Sequence, residues 1–253
     1  MDQLEIKKLT LRFGGIVALN QVDISVKRGQ IHAIIGPNGA GKTSLFNVIS
    51  GVYRPTKGEI FFKGEDIIRK KPFQIGEMGI ARTFQNIELF GNMNVIDNLL
   101  VGRHYLVNTG IFSGCFFYGK ALREEIYNRQ KVEEVIDFLE IENYRKSIVS
   151  SLPYGIQKRV ELGRALAMEP KLLLLDEPMT GMNVEETEDI ARFILDIKDE
   201  LEVTIIMVEH DMAVVMDIAD RISVLNFGLK IGEGAPEEIQ ANPKVIDAYL
   251  GEE

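Results

Sequence analysis

Gly36-Pro37-Asn38-Gly39-Ala40-Gly41-Lys42-Thr43 is the stretch on which the reading of this chain turns. Before it runs a nearly continuous apolar segment, Ile31 to Ile35. After it, from Thr43 to Ser50, Leu45, Val48 and Ile49 fall on one side at helical spacing. A buried strand, a glycine-rich turn and a helix in that order form a complete phosphate-binding loop pattern. The residue types are those the chemistry needs. Glycines let the backbone curl so that successive N–H groups point at phosphate oxygens. The helix starting near Gly41 adds the positive end of its dipole. Lys42 supplies a point charge for β and γ phosphates, the Thr43 hydroxyl can ligate Mg²⁺, and Ser44 follows at the head of the helix.

A second signal lies further along, where the apolar run Lys171-Leu172-Leu173-Leu174-Leu175 ends in Asp176-Glu177. Neighbouring strand residues point to opposite sides, so the two acids need not repel across one spot. After a phosphate loop, Asp176 is expected to hold Mg²⁺ through water and Glu177 to orient and polarise an attacking water. Taken alone, two acids at a strand end would be solvated surface.

The rest of the chain supplies a frame. Leu4 to Phe13 and Val22 to Val26 alternate with period two, Arg28-Gly29 makes a turn, and Glu59 to Phe62 reads as a short strand. From about Val95 to Ser151 the pattern is helical, with Val132, Val135, Ile136 and Leu139 at helical spacing. Within it Thr109 to Gly119 reads as an inserted loop rich in glycine and aromatics. After Pro170 come strand, helix and strand: Lys171 to Leu175, Glu185 to Asp199, Val203 to Val208. Apolar strands alternating with helices predict an α/β fold whose parallel sheet is covered on both faces.

Bulk properties narrow the function. Among 253 residues, 29 basic and 38 acidic side chains give a formal charge of −9, which argues against general nucleic-acid binding. The single cysteine, Cys115, cannot form an internal disulfide, which fits a reducing compartment. The N-terminus carries acids where a signal peptide would carry bases. No stretch approaches the roughly 18 apolar residues of a membrane-spanning helix. A role at a membrane would therefore be played from outside the bilayer.

Taken together, these motifs resemble the ATP-binding-cassette ATPases over nearly the whole chain. In that family's pattern Gln85, within Arg82-Thr83-Phe84-Gln85, matches the glutamine that reaches toward the metal and couples to the membrane partner. His210 matches the switch histidine at the γ phosphate, and Phe13 sits where an aromatic stacks on adenine. Met179-Thr180-Gly181-Met182-Asn183 matches the loop that crosses between subunits. The signature departs from the usual Leu-Ser-Gly-Gly-Gln: here it is Leu152-Pro153-Tyr154-Gly155-Ile156-Gln157, followed by the usual amphipathic helix. Pro153 removes a hydroxyl and a backbone donor, so a bond worth roughly 1.5–3 kcal/mol is missing while the Gly155 N–H remains.

The resemblance implies a P-loop NTPase core of parallel sheet and helices with an N-terminal antiparallel β subdomain, about residues 1–85 and 165–253. It implies a helical signature subdomain at about 86–164. It further implies ATP and Mg²⁺, integral membrane permease subunits, a second ATPase subunit (this chain or a paralogue), indirectly a solute-binding protein, and residence on the cytoplasmic side of the plasma membrane. The Pro153 variant, the Gly181-Met182-Asn183 loop and the ending Val245 to Gly251 resemble the branched-chain amino acid importers. Importers of urea or short amides look similar, and DNA-repair and translation ATPases share the nucleotide motifs. The former usually carry a long coiled coil and the latter two cassettes in one chain, and this sequence has neither. The insertion Ile111 to Tyr118 has two readings, docking on a membrane subunit or folding onto the chain's own helices.

Overall fold

The computed structural model of the chain describes residues 2–106 and 120–250. The inserted stretch Ile111 to Tyr118, with its two readings, lies outside the described residues.

Two sheets carry the fold. In the first, β1 (Asp2–Phe13) pairs antiparallel with β2 (Ile16–Lys27) and β4 (Lys57–Phe62), and the short β5 (Glu65–Asp66) extends it in the order β2-β1-β4-β5. Strand β2 is longer than its alternation suggested. Lys8 and Gln21 adopt left-handed backbone angles (φ 45° and 51°), and the β1–β2 register shifts between Ile6 and Leu9. Such a bulge flips the pattern by one residue, so the period-two reading breaks there.

The second sheet has six strands in the order β10-β9-β3-β8-β7-β6. Its members are β3 (Ile31–Ile35), β6 (Ile80–Arg82), β7 (Leu172–Asp176), β8 (Thr204–Val208), β9 (Arg221–Asn226) and β10 (Leu229–Gly234). Pairings from β9 through β3, β8 and β7 to β6 are parallel, and only β10 runs antiparallel. The unbroken apolar runs have a simple cause, because both faces are covered. Leu173, Leu175, Ile205 and Met207 belong to one hydrophobic cluster, while Leu172, Leu174, Ile206 and Val208 belong to the other. The second cluster also holds Leu4, Ile6 and Phe62 of the antiparallel sheet and Leu45 and Phe46 of α1 (Lys42–Ile49). Truncating one of these leucines to alanine would cost about 2–5 kcal/mol.

Helices α3 (Val95–Gly102), α4 (Lys120–Phe138), α5 (Tyr154–Leu166) and α6 (Val184–Asp199) contribute to the first cluster, after the short α2 (Pro72–Glu77). Val132, Ile136 and Leu139 are fully buried, as their spacing predicts. Three short helices complete the chain: α7 (Met212–Ile218), α8 (Pro236–Gln240) and α9 (Pro243–Leu250). Buried Arg103, just past α3, donates to Asn128 on α4, to the Ala167 carbonyl and to Glu169. It ties these helices to the segment that enters β7. None of the described helices is long and apolar enough to cross a membrane.

Candidate active site

Parallel strands end on the same edge of a sheet, so residues just past β3, β6, β7 and β8 gather there. The phosphate loop follows β3 and turns on its glycines. Gly36 and Gly41 have φ 148° and 105°. A Cβ at Gly36 would lie 2.0 Å from the Leu225 carbonyl oxygen, and one at Gly41 would lie 2.6 Å from that of Ala18. The loop therefore rests against β9 on one side and β2 on the other, and only glycine permits both approaches. Asn38 and Gly39 face solvent at its tip, between buried Pro37 and Ala40.

Lys42 is nearly buried, and its ammonium donates to the Gly36 and Pro37 carbonyls at 2.5 and 3.0 Å. The cation is thus set within its own loop. Thr43 is exposed beside it and Ser44 half-buried. Phe13 ends β1 and is 45% exposed, its ring edge-on to Tyr53 at 5.2 Å between centroids. The β1–β2 hairpin brings it near the loop, since Ala18 of β2 is the residue that touches Gly41.

Asp176 closes β7 and is buried, with Oδ2 2.8 Å from Arg82 Nη2. The same guanidinium donates to Asn47 and Ser50 at the end of α1 and lies against the rings of Phe46 and Phe84. One oxygen of the carboxylate is therefore held by a cation that is itself clamped. Glu177 takes a left-handed backbone conformation (φ 48°) and donates its N–H to the Val208 carbonyl. Its Oε2 accepts from Gln85 Nε2 at 2.7 Å and from the Thr180 hydroxyl at 3.2 Å, with His210 Nδ1 at 3.8 Å. Gln85, Glu177 and His210, far apart in sequence, meet at one carboxylate.

The signature stretch stands elsewhere. Pro153 is the N-cap of α5 with φ −54°, an angle its ring prefers. Leu152 is buried, and Tyr154 donates from its hydroxyl to the Thr180 carbonyl at 3.0 Å. A Cβ at Gly155 would fall 2.4 Å from Glu186 Oε1 on the first turn of α6. The neighbours of this stretch are thus the loop Met179–Asn183 and the start of α6, not the phosphate loop of the same chain.

Comparison with known proteins decides the family. Residues 19–180 match the family model described as ABC transporter. The chain belongs to the ABC transporter family. A further model, described as branched-chain amino acid ATP-binding cassette transporter, matches residues 230–253. Among curated relatives, the high-affinity branched-chain amino acid transport ATP-binding protein BraF of Pseudomonas aeruginosa is 42% identical, covering 98% of this chain and 98% of its own. LivG of Salmonella typhimurium, bearing the same description, matches to the same extent. Among solved structures, a nucleotide-free ATP-binding cassette from an ABC transporter is 33% identical with a TM-score of 0.87, covering all of both chains. An ATP-binding cassette in its ADP conformation gives 0.87 at 32% identity, again over both chains in full.

Around the site of this ABC-family chain stand residues to which motif reading gave no role. Arg82 is one. Two others are Lys158 and Glu161, a buried ion pair one turn apart on α5 at 3.4 Å. Lys158 donates to the Gln85 carbonyl at 3.0 Å, and Glu161 accepts from the Phe84 N–H. The cassette thus fastens its glutamine loop to the signature helix through charges inside the protein. Burial pushes the Glu161 carboxyl up, and Lys158 beside it pulls the other way. Arg164 adds a bond to the Glu88 carbonyl. The only sequence signal was the i, i+3 spacing of Lys158 and Glu161, which reads equally well as a solvated face.

Proposed function

We propose that this cassette hydrolyses ATP to drive import of branched-chain amino acids, working as a dimer against permease subunits at the cytoplasmic face of the membrane. The observation that supports its chemistry most is the meeting of Gln85, Glu177 and His210 at the sheet edge that carries the phosphate loop. The solute class rests on the printed function of relatives similar over 98% of the chain, and on the match of residues 230–253.

In this reading the N–H groups of 36–43 and the Lys42 ammonium hold the β and γ phosphates, and Phe13 stacks on the base. Glu177 orients the attacking water, its carboxylate being released by Gln85 and Thr180 as substrate enters, and His210 contacts the γ phosphate. Catalysis is then positioning and charge stabilisation, without a covalent enzyme intermediate. The donor set suits Mg²⁺, which binds through hard oxygens, few carboxylates and the substrate's own phosphates. Thr43, Asp176 and Gln85 are such donors, and among the described residues no cluster of three His, Cys, Asp or Glu could hold a metal unaided. When bound, Mg²⁺ neutralises charge on the transferred phosphate. The signature stretch of each chain, Leu152 to Gly155 within a helical subdomain of about 86–164, covers the partner's nucleotide.

Hydrolysis and self-association of the purified chain, compared with Glu177→Gln, test the motor. We expect the variant to bind Mg-ATP, lose hydrolysis at least 100-fold, and accumulate as an ATP-bound dimer. Failure to bind ATP would end the reading. Uptake of labelled leucine by cells lacking this chain tests the solute, and loss of urea or amide uptake instead would replace it.

A further inference from the structure

Between β8 and His210 stands Glu209, 1% exposed and absent from every motif. Its two oxygens are divided between two loops. Oε1 accepts the Met179 N–H at 3.0 Å, and Oε2 accepts the His210 N–H at 3.1 Å. Both loops flank Glu177. Met179 follows it by two residues and leads into Thr180, whose hydroxyl holds the Glu177 carboxylate. His210 reaches Glu177 from the other side, its Nδ1 3.8 Å from that carboxylate and equally 3.8 Å from Glu209.

A carboxylate is an expensive way to fill this space. Burial pushes its pKa up and nearby Glu177 adds to the rise, while the two N–H donors oppose it. A polar group so poorly solvated is tolerated only where it accepts bonds that an apolar side chain could not accept. Two backbone N–H groups from two different loops are such bonds, and the carboxyl group gives each its own oxygen.

We propose that Glu209 is a positioning residue for ATP hydrolysis: its carboxylate fixes the switch-histidine turn and the crossing loop in one relation to Glu177. It touches neither nucleotide nor water. Because Met179 opens the loop that meets the other subunit, movement there is transmitted to His210 through a single side chain. This inference rests on the roles proposed above for Glu177 and His210.

Glu209→Gln tests it with little change in volume. The amide keeps one acceptor and presents a donor to the second N–H, so only one loop can stay bonded. In the full chain we expect amide exchange to rise at least tenfold in peptides spanning 178–183 or in those spanning 209–212, whichever loop loses its acceptor, with β7 unchanged. Turnover should fall at least tenfold while Mg-ATP affinity and KM stay within twofold. Where the glutamine variant does not fold, Glu209→Ala, which withdraws both acceptors without adding a donor, is read in the same way. Unchanged exchange in both loops, turnover within twofold of wild type, or a loss of affinity equal to the loss of turnover would each overturn the proposal. The underlying roles fail separately, through a Glu177→Gln variant that still hydrolyses ATP. An inactive Glu177→Gln beside a fully active Glu209→Gln would refute the positioning role alone.

Discussion

Helices α6 and α7 begin on side-chain caps, whereas α1 and α5 do not. Asn183 accepts from the Glu186 N–H at 3.0 Å while Glu186 Oε2 accepts from the Asn183 N–H, a reciprocal box at the head of α6. Asp211 accepts from Ala213 and Val214 at the head of α7. Gly41 and Pro153, which precede α1 and α5, supply no side-chain acceptor. The first N–H groups of any helix lack intrahelical partners. A structural helix satisfies them from its own sequence, while a helix that meets an anion leaves them for the ligand. Helices α2 and α8 follow a third course, opening on Pro72 and Pro236 and so removing one donor outright. The uncapped starts of α1 and α5 are those of the phosphate loop and the signature helix, to which the proposed function assigns opposite sides of one nucleotide.

The sharpest way to break this contrast is at α1. Lys42→Ala leaves the loop's glycines and the head of the helix in place but withdraws the cation. Charge-assisted bonds to phosphate are worth roughly 1.5–3 kcal/mol each, so Mg-ATP affinity should fall about 100-fold. Titration with a fluorescent nucleotide measures the loss, and thermal unfolding should show the fold intact. Affinity within tenfold of wild type would mean that the start of α1 is not where the phosphates sit.

Much of this was legible beforehand because the chemistry leaves few choices of residue. Gly36, Gly41 and Lys42 announce their loop by type and spacing, and β3, β7 and β8 announce themselves by apolar runs that only a sheet covered on both faces explains. Gln85 and His210 were singled out by the family resemblance, not by local pattern, and their meeting at Glu177 is seen only in the structure. What stayed hidden were charged residues that the fold takes inside. Arg82 finds Asp176 across 94 residues of sequence, and Lys158 finds the Gln85 carbonyl across 73. Nothing local distinguishes such a residue from a surface one, because its partners exist only once the chain has folded. Glu209 is the same case, made harder by standing next to His210, which draws the eye as the functional residue.

At α5 the expected effect is smaller and its sign is reversed. Pro153→Ser restores a hydroxyl where the helix has no cap. Should that oxygen serve the partner's phosphate, ATP-driven dimerisation of the Glu177→Gln background tightens about tenfold, the value of one charge-assisted bond. Light scattering against ATP concentration reads it out. Should the hydroxyl instead cap its own helix, unfolding stability rises by about 1 kcal/mol and dimerisation does not change. The second result would place α5 with α6 and α7.

The smallest effect is expected where the contrast is purely structural. Asn183→Ala removes the acceptor for the Glu186 N–H and leaves Glu186 without the side-chain half of its box, at a cost of about 1 kcal/mol. Urea unfolding should show that loss as a lower midpoint with unchanged slope, since the unfolded surface is the same. Nucleotide affinity of the single chain should not move, because Asn183 bonds only within its own helix start. One further consequence separates cap from site. Glu186 also fills the space beside Gly155, so loosening the box frees a side chain against the signature helix. ATP-driven dimerisation should weaken by no more than about twofold if α6 serves as a scaffold. A tenfold loss would make the cap of α6 part of the nucleotide site, and the division between capped and uncapped starts would no longer follow function.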